Sequence, residues 1–152
     1  MSSFTTATLT PQPAAAIHAE VPMAELPSVF DRGYPAIAAA VTAAGRTIVA
    51  PPFGFYPRMP GETVEVWLGF PIDAPIGAAG EVQPFELPGG TAVIGEHVGP
   101  FDTLSETYEA LAAWAADQGI ALAGAVWETY VTDPSAEPDP SRWRTAVTWL
   151  TS

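Results

Sequence analysis

A chain of 152 residues, 48% of them hydrophobic, is long enough to bury one core and short for two, so a single domain over residues 1–152 is expected. Seventeen Asp and Glu stand against five Arg and no Lys, a formal net charge of −12 that repels phosphate backbones and attracts cationic molecules. There is no cysteine, only His18 and His97 as histidines, no signal-peptide pattern and no apolar run of membrane-spanning length; the expectation is a cytoplasmic protein without metal, cofactor, nucleic-acid or membrane contacts of its own.

Thr5 to Val21 reads as extended, with a break at Thr10 to Pro13 because Pro11 and Pro13 lack ladder donors. From Pro22 the apolar spacing turns helical through Leu26, Phe30, Ile37 and Val41. The pattern predicts a short first segment, then a longer helix with Pro35 in its first turn and Gly45 closing its C-terminus. TIVAPPFGFYP and ETVEVWLGFPI, separated by the turn PRMPG, read as a hairpin. In its second strand Val64, Val66, Leu68 and Phe70 share a core face, while Glu65 and Trp67 share the other.

The same order then begins again. EVQPFELPGG and TAVIGEHVGP precede a helix predicted from about Asp102 to Gln118, with Thr103 and Glu106 as a capping box, Leu104, Tyr108, Leu111 and Ala115 as its stripe and Gly119 as its stop. His97, just before that helix, fits a hydrogen bond that fixes the turn. IALAGAVWETYVT, a proline-rich loop and WRTAVTWL complete the second half. The halves superpose residue by residue, roughly 4–72 on 80–151: Pro11 falls on Pro88 and Ile17 on Ile94. Phe53, Gly54 and Tyr56 fall on Trp127, Glu128 and Tyr130, and Val64, Val66 and Leu68 on Thr145, Val147 and Trp149. The expected fold is α+β: a duplicated β-α-β-β unit with a pseudo-twofold, an antiparallel sheet, both helices on one side and a ligand cleft near the axis.

Within VWETYVTD the alternation sends Val126, Glu128, Tyr130 and Thr132 to one face and Ala125, Trp127, Thr129 and Val131 to the other. A carboxylate between aromatic neighbours in an apolar strand is exposed, paired inside the fold, for example with Arg144, or kept to meet a ligand. Tyr56 and Tyr130 are strand aromatics or facing cleft residues. Trp127 and Trp149 suit core packing against the helices, and Trp67 is a cleft wall or an outward aromatic.

The ending WETYVTDPSAEPDPSRWRTAVTWL, with LPGG and EHVGPFDTLSETYEAL before it, resembles the GyrI-like small-molecule-binding domain over almost the whole chain. The resemblance implies a SOUL/GyrI-like fold with a drug-binding cleft. It is a domain that serves as effector sensor in multidrug-responsive and AraC-type regulators and that also occurs alone, sometimes in proteins similar to hydrolases that open cyclopropane rings of alkylating natural products. The family's central glutamate carries over to Glu128, the aromatic after it to Tyr130, the first-half tyrosine to Tyr56, and Trp127 matches the position before the glutamate. The chain has no room for a DNA-binding helix-turn-helix, which leaves a homodimer or a partner regulator as the expected protein contacts.

Three functions follow from these residues. In a binding module, Glu128 pairs with a lipophilic, cationic aromatic compound between Tyr56, Tyr130, Trp67 and Trp127. In a cofactor-free hydrolase, Glu128 is the general base on water and Tyr130 or Tyr56 the hydrogen-bond donor to the developing oxyanion. In a protein-binding inhibitor, the acidic surface mimics nucleic acid; here the charges are sparse and scattered.

Overall fold

The computed structural model describes residues 4–58, 61–133 and 136–151. The first half forms β1 (Phe4–Leu9), β2 (Gln12–Pro22), α1 (Leu26–Ala43), β3 (Phe53–Tyr56) and β4 (Thr63–Pro71). The second repeats this with β5 (Gln83–Leu87), β6 (Gly90–Val98), α2 (Leu104–Asp117), β7 (Leu122–Tyr130) and β8 (Arg144–Thr151). All eight strands lie in one antiparallel sheet of order β1-β6-β8-β7-β3-β4-β2-β5, a palindrome about the β7–β3 pair. β3 is shorter than the alternation suggests because Pro51 and Pro52 carry no N–H; the Pro52 carbonyl still accepts from the Tyr130 N–H at 2.9 Å.

The repeat is a β-β-α-β-β unit, one strand more than expected, and the extra strand is exchanged. β1 pairs with β6 of the second half (Leu9↔Gly90), and β5 pairs with β2 of the first (Gln12↔Leu87). The break at Thr10 and Pro11 is the point where the chain crosses between halves, and Pro88 and Gly89 mark the equivalent crossing. There the two segments pass closely enough that a Cβ on Gly89 would lie 2.7 Å from Pro11 Cδ and 3.0 Å from the Leu9 carbonyl oxygen.

Both helices cover the same face of the sheet. α1 buries Val29, Gly33, Ile37 and Val41, and α2 buries Leu104, Thr107, Leu111 and Ala115, against Val64, Val66, Leu68, Val93 and Val147. Ile37 and Leu111, fully buried, each contribute about 1.5–3 kcal/mol of transfer free energy. Gly45 and Gly119, both at φ 72°, follow the two C-termini as expected. The first helix is continuous, however: Pro27 sits in its first turn and Pro35 in its interior, so the Asp31 carbonyl has no i+4 donor. The expected capping box is also absent. A 3₁₀ turn, Phe101–Thr103, leads into α2, and the Thr103 hydroxyl donates to the Pro100 carbonyl at 2.9 Å instead of capping the helix. His97 fixes this turn, its Nδ1 2.6 Å from the Thr107 hydroxyl and its Nε2 3.0 Å from the Pro100 carbonyl.

On its other face the curled sheet holds a second core of Ala14, Phe53, Phe55, Leu87 and Trp127, with Trp67 and Phe85 packed against it. Trp127 thus packs away from the helices, contrary to expectation, while Trp149 packs under them. Among the described residues no helix is long and apolar enough to cross a membrane.

Because Pro11 and Leu9 meet Gly89 with ring and backbone atoms, Gly89→Ala is expected to destabilise the fold by about 1–3 kcal/mol. Gly77→Ala, where an added Cβ meets nothing within 4 Å, is expected to stay within about 0.5 kcal/mol of the parent. Urea unfolding of the two variants makes the comparison; equal stabilities would mean that the crossing segments yield.

Candidate ligand-binding site

At the centre of the sheet β3 and β7 pair with Gly54 opposite Glu128, so the two repeat-equivalent residues face each other across the pseudo-twofold axis. Strand alternation aims Val126, Glu128 and Tyr130 of β7, and Tyr56 of β3, between the two helices. There they line a cavity of about 1600 Å³, walled on one side by Phe30, Tyr34 and Pro35 of α1 and on the other by Leu104 and Tyr108 of α2. Phe101 closes part of the mouth, edge-on to Tyr130 with ring centroids 5.8 Å apart.

Glu128 is 9% exposed and makes no ion pair among the described residues. Its oxygens are held by phenols: Tyr108 donates to Oε2 at 2.5 Å and Tyr130 to Oε1 at 2.8 Å. Tyr56 lies 3.5 Å, hydroxyl to hydroxyl, from Tyr130, which leaves it as the donor of that longer contact. Arg144, the arginine the sequence offered as a partner, lies instead 3.7 Å from Glu96. Arg58 lines the cavity but is exposed and held by Glu20 and Glu65.

All four tyrosines of the chain line the cavity, and they form two equivalent pairs. The separation of 74 positions between Tyr56 and Tyr130 also separates Tyr34 from Tyr108. Sequence reading placed the strand pair in the cleft and missed the helix pair, although this shared spacing carried the signal. Tyr34 gives its proton to backbone instead: its hydroxyl donates to the Phe53 carbonyl at 2.7 Å. Gly54 has to lack a side chain, because a Cβ there would lie 3.0 Å from the Tyr130 hydroxyl and 3.3 Å from that of Tyr56.

Burial raises the proton affinity of Glu128, and the hydrogen bonds from Tyr108 and Tyr130 only partly offset it. Burial and then the Glu128 charge push Tyr56, Tyr108 and Tyr130 upward; in Tyr34 burial leads, followed by Tyr56 and then Glu128. The phenols therefore stay protonated donors, and Glu128 is the group in the deep cavity that can carry negative charge. Glu128, Tyr130 and Tyr56 come together as the sequence suggests. Trp67 and Trp127 do not join them: neither lines the cavity, and Trp67 stacks on Phe85 on the opposite face, centroids 5.0 Å apart.

A duplicated α+β fold whose halves close on an aromatic cavity with one buried carboxylate defines a small-molecule-binding domain. The chain belongs to the family of GyrI-like small molecule binding domains, whose model matches residues 4–150. Solved structures share the fold. The C-terminal domain of EcmrR superposes with a TM-score of 0.81 at 21% identity, over 100% of this chain and 97% of that one. In the EcmrR–DNA complex the match has a TM-score of 0.83 at 22% identity and covers 99% of this chain but 57% of EcmrR, so the chain spans little more than half of that protein. SAV2435 bound to tetraphenylphosphonium gives 0.69 at 7% identity over 99% and 94% of the two chains, and a hydrolase from Listeria innocua gives 0.68 at 14% over 98% and 91%. No curated protein matches the chain.

The raised proton affinity of Glu128 fixes a sign. The folded state binds this proton more tightly than the unfolded state, so its stabilising contribution is full below the ordinary value of 4.5 and is lost as pH rises through the raised folded value. Glu128→Gln is therefore expected to gain stability relative to the parent as pH increases from about 4.5 toward neutrality. Melting temperatures of both proteins across that range test it; a constant difference would mean that Glu128 ionises normally.

Proposed function

We propose that the domain reversibly binds lipophilic aromatic cations, with Glu128 as the counter-charge and Tyr56, Tyr108 and Tyr130 as walls, and so senses or sequesters them. The observation that carries this reading is a buried carboxylate given two phenol protons and no positive partner among the described residues. Ionising such a group inside the fold is costly, and a cation brought in by a ligand offsets that cost. Ring faces add roughly 0.5–2 kcal/mol per cation–π contact. Tetraphenylphosphonium bound to the fold-mate SAV2435 is a ligand of this description and the natural first probe.

The alternative reading, a hydrolase in which Glu128 activates water and Tyr130 or Tyr56 supports a developing oxyanion, draws on the raised proton affinity of Glu128. Against it stands the bonding of the hydroxyls. Tyr130 and Tyr108 already give their protons to Glu128, so Tyr130 has to release the base before it can serve an oxyanion, and Tyr56 is the one loosely held donor.

Calorimetric titration with tetraphenylphosphonium is expected to show that Glu128→Gln lowers affinity about tenfold or more, roughly 1.4 kcal/mol. Binding to the parent should release protons, seen as a dependence of the heat on buffer ionisation enthalpy. Affinity should rise with pH until Glu128 is ionised in the free protein. Equal affinity in parent and variant would remove the charge role. Conversion of a strained electrophile beyond one equivalent of protein, lost in Glu128→Gln, would establish the hydrolase.

A further inference from the structure

The two sides of the cavity carry equivalent tyrosines but differ in charge and in their other walls, Phe30 of α1 standing where α2 has Leu104. On the α2 side Tyr108 bonds Glu128; on the α1 side its equivalent Tyr34 bonds a backbone carbonyl, and the residue equivalent to Glu128 is Gly54. The Tyr34 proton is committed to the Phe53 carbonyl, so its ring is presented as an uncharged wall. Phe30 lies against Tyr34 with centroids 5.5 Å apart, and Phe70 meets Tyr34 edge-on at 5.6 Å. The charged residues of the α1 side, Asp31 and Arg58, are exposed. The cavity, at about 1600 Å³, also exceeds the range of about 300–1,000 Å³ usual for one small ligand.

We propose that the α1 side is a second, uncharged subsite, walled by Phe30, Tyr34 and Phe70, that takes a neutral planar aromatic molecule while a cation occupies the Glu128 side. The identity of the first occupant rests on the reading given above; the second subsite rests on its own walls. A second cation is disfavoured there, since the one buried carboxylate among the described residues would already be paired with the first cation, which would repel it. A group that needs a hydrogen-bond donor is disfavoured too, because the Tyr34 proton is already used. Fused or linked aromatic rings meet the offset and edge-on geometry that the three walls provide.

The test uses the unmodified protein and N-phenyl-1-naphthylamine, a neutral fluorescent aromatic, titrated with and without saturating tetraphenylphosphonium. The expected result is a ternary complex with one of each ligand and an affinity for the naphthylamine changed by no more than about twofold. Phe70→Ala should weaken the naphthylamine about tenfold and leave the phosphonium within about twofold, while Glu128→Gln does the reverse. Stoichiometric displacement of one probe by the other overturns the second subsite, as does absence of naphthylamine binding or equal loss of both ligands in Phe70→Ala. Phosphonium binding that survives intact in Glu128→Gln overturns the cation reading alone, and the ternary complex then still decides the subsite.

Discussion

A carboxylate buried at the seam of two halves with no ion pair among the described residues is the constraint on which this structure turns. Glu128 stands at the seam of two halves, and the groups that touch it are phenols, which share its charge without cancelling it. The surrounding features follow from that. Tyr108 arrives from a helix whose approach is set by the buried His97–Thr107 contact, and Tyr130 arrives from the strand of the acid itself, two residues on. Gly54 keeps the opposite strand bare so that the hydroxyls can meet above it. A carboxylate in such a place holds its proton strongly, and its ionisation is coupled to whatever fills the space beside it.

Duplication explains how a short chain assembles this arrangement. Two copies of one unit bring two helix tyrosines and two strand tyrosines to a common axis, and the difference of glycine against glutamate at that axis makes the result polar. A symmetric pair of acids there would repel each other across the strand pair, and a symmetric pair of glycines would leave no charge to read. The asymmetry gives the cavity a direction.

Much of this was legible in the sequence because it depends on local periodicity and on comparison of one half with the other. The core face of the second hairpin strand, the closing glycines Gly45 and Gly119 and the turn role of His97 follow from spacing; the convergence of Glu128, Tyr56 and Tyr130 rests on the equivalence of the halves together with the family resemblance. What was not legible depends on the path of the chain through space. Exchange of the leading strands leaves no local trace beyond the prolines at the breaks, and while alternation sends Trp127 and Trp67 away from the cavity face, it does not show that a second core covers them there. Pro35 signals a helix start by its own chemistry, yet Pro27 already holds that place and the packing of Gly33, Ile37 and Val41 carries the helix through it. Thr103 matched a capping pattern, but a nearer acceptor, the Pro100 carbonyl, takes its proton.

The exchanged strands bear on how the molecule behaves as a mechanical object. Because each half ends its share of the sheet with a strand drawn from the other, neither half possesses a finished edge by itself, and the two are laced together at both ends of the sheet order. Prising the seam apart therefore also means breaking the β1–β6 and β2–β5 ladders, so the halves separate only together with the outermost strands of the sheet.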